Sequence, residues 1–241
     1  MSGPAQQPRT RRERKRLATY EEIRQTARTV MAAEGTAGVS LRAIAAEMGL
    51  TPPALYRYYA SRDDLLTALI IEDYNALGEA LEQTRDAHRE RSSADQFYAV
   101  GLAYRAWAIA HPTDYELILG NPIPGYHAPA EITQPAARRG LGALLAILVS
   151  AWNRGELATP PEYAETPAAV EPVLEEWRRE LGLDAPAAIF RLAVALWGRL
   201  HGLILLELFG HLGPLVGDPA SFFEAELRSI LATLDMHVEA F

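Results

Sequence analysis

The sequence predicts an all-α protein: a small three-helix N-terminal unit followed by a larger helical body. Three observations carry that expectation. Apolar residues recur at three- and four-residue spacing through most of the chain, the period of a helix with one buried face. No segment of any length alternates apolar and polar residues as a half-buried strand does. Residues 40–66, SLRAIAAEMGLTPPALYRYYASRDDLL, hold three helix starts separated by one-turn links.

The elements follow in chain order. Residues 1–16, MSGPAQQPRTRRERKR, are polar, basic and proline-containing, and are expected to form a disordered arm. A first helix covers 17–34, with Leu17, Tyr20, Ile23, Ala27, Val30 and Met31 facing inward and Gly35 ending it. Ser40 caps a second helix through its hydroxyl, and Leu41, Ile44, Ala45 and Met48 share one face of it. Gly49 takes the positive φ of a tight turn without steric cost. Thr51 followed by Pro52 restarts the chain, an N-cap with proline in the first helical position. Ser61 with Asp64 three residues on begins the next helix. That helix reaches into the 80s, with Leu65, Leu66, Leu69, Ile70, Tyr74, Leu77 and Leu81 at helical spacing. Helical patterning returns over 94–110 and is broken by His111-Pro112. A short helix at 113–119 leads to a proline- and glycine-rich loop, 120–131. An apolar helix at 133–154 stops at Gly155. A second proline-rich loop follows, then an amphipathic segment at 174–180, a long apolar helix at 185–210 and a last helix at 220–238. The expected organisation is an arm at 1–16, a three-helix domain at 17–60 and a helical body at 61–241, with the helix from Ser61 as connector.

The chain has 241 residues and a formal net charge of −8, unevenly spread. Residues 1–62 carry 11 Lys and Arg against 5 Asp and Glu, whereas the remaining 179 carry 12 against 26. A basic N-terminal quarter on an acidic body is the electrostatic footprint of a nucleic-acid reader with a separate function behind it. The acidic body would also repel DNA from the wrong face. The chain has no cysteine, which excludes disulfide and thiol chemistry. The most apolar run, 187–209, is interrupted by Arg191, Arg199, His201 and Glu207, which argues against a membrane span. No apolar region follows the N-terminal arginines as it would in a secretory signal. A cytoplasmic protein without a membrane partner is expected.

Two short helices joined by a glycine turn are the layout of a helix-turn-helix, which sets one helix into the major groove of DNA. Over about residues 17–70 the chain resembles the DNA-binding domain of the TetR family of bacterial repressors. The most specific part is GLTPPALYRYYASRDDLL: a glycine turn, a short recognition helix ending Leu-Tyr-x-aromatic-aromatic, and an acidic-leucine helix start. The back half carries a second likeness. His111-Pro-x-x-Tyr115, the loop NPIPGYHAPAE and the segment Trp197-Gly-Arg-Leu-His201-Gly202 resemble a TetR-family C-terminal domain named for its Trp-His-Gly signature. That implies a ligand-sensing, dimerising body and leaves the ligand open.

The resemblance makes 51–59 the recognition helix. Thr51, Pro52, Pro53 and Ala54 present hydroxyl and methylene surface, which reads base edges weakly. Tyr56 occupies the family's phosphate- or base-contacting position, and Tyr58 lies near it. Arg57 is expected on a phosphate or on guanine O6/N7. Arg62 matches a position that holds a phosphate from the helix N-terminus. Ser40 and Arg42, at the start of the second helix, complete the DNA-facing set. The doubled proline departs from the family pattern and leaves specificity to Arg42, Arg57 and DNA shape. Leu55 and Tyr59 read as core. In the arm, Arg9, Arg11, Arg12, Arg14, Lys15 and Arg16 are placed to follow phosphates or reach a minor groove.

In the body, Tyr104, Trp107, Tyr115, Leu119, Trp152, Phe190, Trp197 and His201 are candidates to line a ligand pocket; each is equally readable as core. Apolar pockets with a few polar tips suit small amphipathic ligands. Gly198 and Gly202 leave a small-residue groove on the long helix, suited to close helix crossing. One short recognition helix reads too few bases to be selective, so a homodimer on a palindromic operator is expected, paired through the helices at 187–210 and 220–238. The sequence has no HExxH, GxSxG, P-loop or CxxC, and its six histidines lack metal-ligand spacing. No catalytic site, metal or cofactor is expected. The expected function is a ligand-responsive, sequence-specific regulator, a repressor released from double-stranded operator DNA by a small-molecule effector. Two alternatives stay open: a small-molecule-binding helical protein without specific DNA binding, and a DNA-binding dimer with no ligand.

Overall fold

Hydroxyl caps, prolines and glycines divide the chain into helices. The computed structural model describes residues 10–157 and 159–238. Among them are twelve α-helices and no strand: α1 (Arg11–Glu34), α2 (Leu41–Glu47), α3 (Pro52–Leu55), α4 (Arg62–Ala87), α5 (Ser93–Ala110), α6 (Pro112–Leu119), α7 (Ala130–Asn153), α8 (Pro161–Ala164), α9 (Glu171–Leu181), α10 (Ala187–Leu208), α11 (Gly213–Val216) and α12 (Pro219–Thr233). The all-α expectation holds. The single-turn helices α8 and α11 are too short to leave a periodic signal.

The chain divides into two compact units, residues 1–70 with 116–129, and residues 71–115 with 130–241. In the first, Ile23, Ala27 and Met31 of α1, Leu41, Ile44 and Ala45 of α2, Leu55 and Leu65 are all buried. Thr51 stands at the N-cap of α3 without a side-chain bond, whereas the other two expected hydroxyl caps form. Ser40 Oγ accepts the Ala43 N–H at 3.1 Å and Ser61 Oγ the Asp64 N–H at 3.0 Å. Gly49 sits at φ 65°, and the turn closes with Leu50 N–H to Ala45 O at 2.8 Å.

Three expectations in this unit need correction. Helix α1 begins at Arg11, not at 17. Thr10 Oγ accepts the Glu13 N–H at 3.2 Å while the Glu13 carboxylate accepts the Thr10 N–H at 2.7 Å. This reciprocal capping box satisfies two otherwise orphaned donors and makes residues 11–16 helical rather than disordered; residues 1–9, Arg9 included, lie outside the described residues. Leu17 is 45% exposed, and the buried face of α1 starts a turn and a half later, at Ile23. Helix α3 is a single turn. After Leu55 the bonds tighten, with Tyr58 N–H reaching only to Leu55 O at 2.9 Å, so Tyr56, Arg57 and Tyr58 sit on the turn that follows the helix. The loop after α6 packs within the same unit: Ile123 is buried and the Tyr126 hydroxyl pairs with that of Thr67 at 2.9 Å.

In the second unit, α10 is the central helix and packs on α5, α7, α8, α9 and α12. It is long and apolar enough to cross a membrane, with a mean hydropathy of 1.6 over its most apolar window. Here Ile189, Phe190, Leu192, Ala193, Leu196, Leu200 and Ile204 are buried in the core instead. Glycine permits two close crossings: a Cβ at Gly101 would lie 2.5 Å from Leu227 Cδ2, and one at Gly78 would lie 2.5 Å from Arg139 Cβ. The Arg139 guanidinium then reaches Glu82 at 2.5 Å and Asn75 Oδ1 at 2.8 Å, tying α7 to α4. Arg105 and Glu207 join α5 to α10 by two bonds of 2.7 and 2.5 Å. Helix α12 stops at Thr233 rather than 238. Asp235 turns left-handed at φ 56°, and the Met236 N–H returns to Leu231 O at 2.9 Å.

Candidate nucleic-acid interface and body cluster

The residues expected to face DNA all lie in the first unit. Arg42, in the first turn of α2, and Thr51, Pro53, Tyr56 and Arg57, in and after α3, are exposed; Tyr56 is half-exposed at 50%. Pro52, Ala54 and Tyr58 are half-buried, and Leu55 and Tyr59 are core. Thr51 makes no side-chain cap bond, which leaves its hydroxyl for an outside partner. Ser40 is half-buried and its hydroxyl oxygen caps α2. Arg62 differs from expectation. Its Nε donates to Val39 O at 2.8 Å and its Nη2 to Thr36 O at 3.1 Å. The guanidinium bridges the start of α4 to the chain before α2, because a planar fork of donors matches two neighbouring carbonyls.

Sequence reasoning missed what holds α1 against this surface. Tyr20, counted only as an inward residue, meets Tyr58 edge-on at 5.0 Å and Tyr59 at 5.6 Å. Its hydroxyl accepts from Arg16 Nη2 at 3.3 Å. The spacing of Arg16 and Tyr20, one helical turn, was the available signal.

In the second unit a polar chain is enclosed by rings. Tyr115 of α6 donates its hydroxyl proton to Tyr104 of α5 at 2.9 Å, and the Tyr115 oxygen lies 2.8 Å from His201 Nδ1 of α10. A phenol has one proton. With that proton on Tyr104, His201 Nδ1 must donate to Tyr115, and a neutral imidazole keeps its lone pair on Nε2. Burial lowers the His201 pKa, favouring the neutral ring. Burial also pushes Tyr104 and Tyr115 well up, so both stay protonated. Tyr104 stacks on Trp197 with centroids 4.3 Å apart and planes 15° off parallel. Gly140 of α7 makes room for that indole: a Cβ there would lie 2.9 Å from Trp197 Cη2. Trp107 lies beside Tyr115 at 6.5 Å and stacks on His111 at 4.8 Å.

Five of the eight expected body residues therefore gather: Tyr104, Trp107, Tyr115, Trp197 and His201. Three do not. Phe190 is fully buried two helical turns before Trp197, about 10 Å along α10. Trp152 is 38% exposed near the end of α7, about 18 Å along that helix from Gly140. Leu119, half-buried, falls in the first unit. Among the described residues no group of three His, Asp or Glu is arranged to hold a metal.

Known proteins resemble this chain in two stretches. Residues 23–69 match the model of bacterial regulatory proteins of the tetR family, and residues 97–230 match a tetracyclin repressor-like C-terminal domain. An HTH-type transcriptional regulator of Mycobacterium tuberculosis is 35% identical over 204 residues, covering 84% of this chain and 86% of that protein. The crystal structure of regulatory protein SCO4313 is 35% identical and superposes with a TM-score of 0.73, covering 94% of this chain and 100% of that one. RolR, solved with its ligand resorcinol, shares the fold at 17% identity and a TM-score of 0.52, covering 93% and 91% of the two chains. An exposed helix-turn-helix in front of a matched C-terminal domain, with relatives over most of its length, places the chain in the TetR family of bacterial transcriptional regulators.

Proposed function

We propose that this regulator acts as a homodimeric repressor on a palindromic operator and is released when a small molecule enters the body. The observation that carries the ligand half is the chain Tyr104–Tyr115–His201 beside the Trp197 ring. Each hydroxyl proton but that of Tyr104 is assigned, and His201 Nε2 has a lone pair to offer. The chemistry of those groups complements a small flat ring bearing a hydroxyl, whose O–H would donate to Nε2, whose oxygen would accept from a phenol and whose face would stack on an aromatic ring. The ligand set is Tyr104, Trp107, Tyr115, Trp197 and His201.

Pairing is supported by α10. Val194, Gly198, Gly202, Leu206 and Phe209 share a sector of about 120°; Val194, Leu206 and Phe209 are each more than 40% exposed. A glycine inside a helix costs about 1 kcal/mol relative to alanine. A Cβ at Gly198 or Gly202 would meet nothing within 4 Å, so packing within the chain does not account for either. Close approach of the same helix from a second copy does.

On DNA, Arg42, Thr51 and Tyr56 read base edges and flanking phosphates. Release follows from population shift: a ligand that weakens operator binding a hundredfold must prefer the released conformation by about 2.7 kcal/mol. The test is to incubate the protein with sheared genomic DNA of its source and sequence what it retains. Enrichment of one or a few palindromes is the expected result, with binding to them weakened more than tenfold by Arg42→Ala or Tyr56→Ala. Retention without an enriched sequence, or unchanged affinity in both variants, overturns the operator reading. Hydroxylated aromatics added to the complex are expected to release it, and Trp197→Ala to blunt that release.

A further inference from the structure

The family match begins at residue 23, yet α1 begins at Arg11. Those first three turns build a site of their own. The Thr10–Glu13 capping box makes them helical, so Arg12, Lys15 and Arg16 fall within about 100° of one another around the axis instead of trailing as an arm. Their position against the recognition element is held by Tyr20. Its ring packs edge-on to Tyr58 and Tyr59, and Arg16 lies over that ring at 5.6 Å while donating to its hydroxyl. The result is a cleft of about 450 Å³ lined by Arg12, Glu13, Lys15, Arg16, Arg57 and Tyr58. It has four cationic side chains and one carboxylate, and that carboxylate accepts from the Thr10 N–H and hydroxyl at 2.7 and 3.0 Å.

We propose that this cleft binds the DNA backbone: the α1 extension and Arg57 together clamp successive phosphodiesters of one strand beside the bases read from α2 and α3. The proposal rests on the DNA-binding reading and deepens it. It gives Arg57 to phosphate rather than to a guanine edge, because Arg57 faces the same open cleft as Arg12, Lys15 and Arg16. Tyr58 supplies one cleft wall through its ring, half-buried against Tyr20. Affinity from such contacts is independent of sequence and steeply dependent on salt, since each neutralised phosphate releases its counterions.

The experiment is fluorescence anisotropy with an enriched duplex and a scrambled duplex across a range of salt, on the wild-type protein and on Arg12→Gln/Lys15→Gln/Arg16→Gln. Glutamine keeps helix propensity and solubility; the residues are exposed, and far-ultraviolet dichroism checks the fold. The triple variant is expected to flatten the log affinity against log salt slope by about two to three, at about 0.9 per lost phosphate contact. It should weaken both duplexes by the same factor, and Arg57→Gln alone should flatten the slope by about one. An unchanged slope overturns the clamp. So does a loss confined to the enriched duplex, which would mean base readout, or tight binding of inorganic phosphate or nucleotide to the cleft with DNA affinity unaltered. If the wild type shows no sequence preference, the operator reading fails while the slope on scrambled DNA still decides the clamp.

Discussion

Replacing Arg62 by alanine decides whether this guanidinium holds the head together or holds DNA. Two bonds disappear, to Val39 O at 2.8 Å and to Thr36 O at 3.1 Å. A hydrogen bond from a charged donor contributes about 1.5–3 kcal/mol; for a half-buried side chain the lower end applies, giving about 2–3 kcal/mol for the pair. Fluorescence is the wrong probe, because the four tryptophans, 107, 152, 177 and 197, all lie in the second unit. Amide exchange at Ile44 and Ala45, both fully buried in α2, reads the head directly. The expected loss of protection is about 30- to 150-fold, at about 1.4 kcal/mol per factor of ten. Arg62→Lys should recover little of it, since an ammonium lacks the planar two-pronged donor. The salt slope of DNA binding should stay as in the wild type. Unchanged protection, together with a slope lower by about one, would refute the structural role and return Arg62 to the phosphate contacts.

The body yields two further predictions. Gly140→Ala forces a methyl within 2.9 Å of the Trp197 ring and should cost about 1–3 kcal/mol by overpacking; a lower urea midpoint and an altered tryptophan emission are expected, and neither changing would mean that the Trp197–Tyr104 stack does not fix the indole. His201 has a folded pKa below its ordinary value because of burial. The unfolded chain therefore takes up the proton first on acidification, so the stability tied to the neutral ring is complete above about pH 6.5 and is lost as pH falls through the folded value. The urea midpoint should fall less between pH 7 and pH 5 in His201→Gln than in the wild type; equal falls would contradict a neutral His201 in the folded body.

The sequence alone determined the helical class and the punctuation of the head, because these are local matters. Ser40, Gly49, Thr51-Pro52 and Ser61 act within four residues of themselves, and the side-chain or φ preference of each is decided before any packing occurs. Leu55 and Tyr59 against Tyr56 followed from one-turn periodicity for the same reason. Tertiary structure decided what depends on distance. Arg62 has the residue type of a phosphate contact, but two carbonyls more than twenty residues earlier claim its donors. The capping box at Thr10 was legible in the sequence as Thr-x-x-Glu, yet a polar, arginine-rich composition argued for disorder, and only the packing of Tyr20 on Tyr58 and Tyr59 gave the extended helix a side to rest on. In the body, eight large residues were equivalent by type. Tyr104, Tyr115 and His201 joined because α5, α6 and α10 bring three polar tips within hydrogen-bond reach, while Phe190 and Trp152 were carried about two and three turns away along helices whose phase no composition encodes.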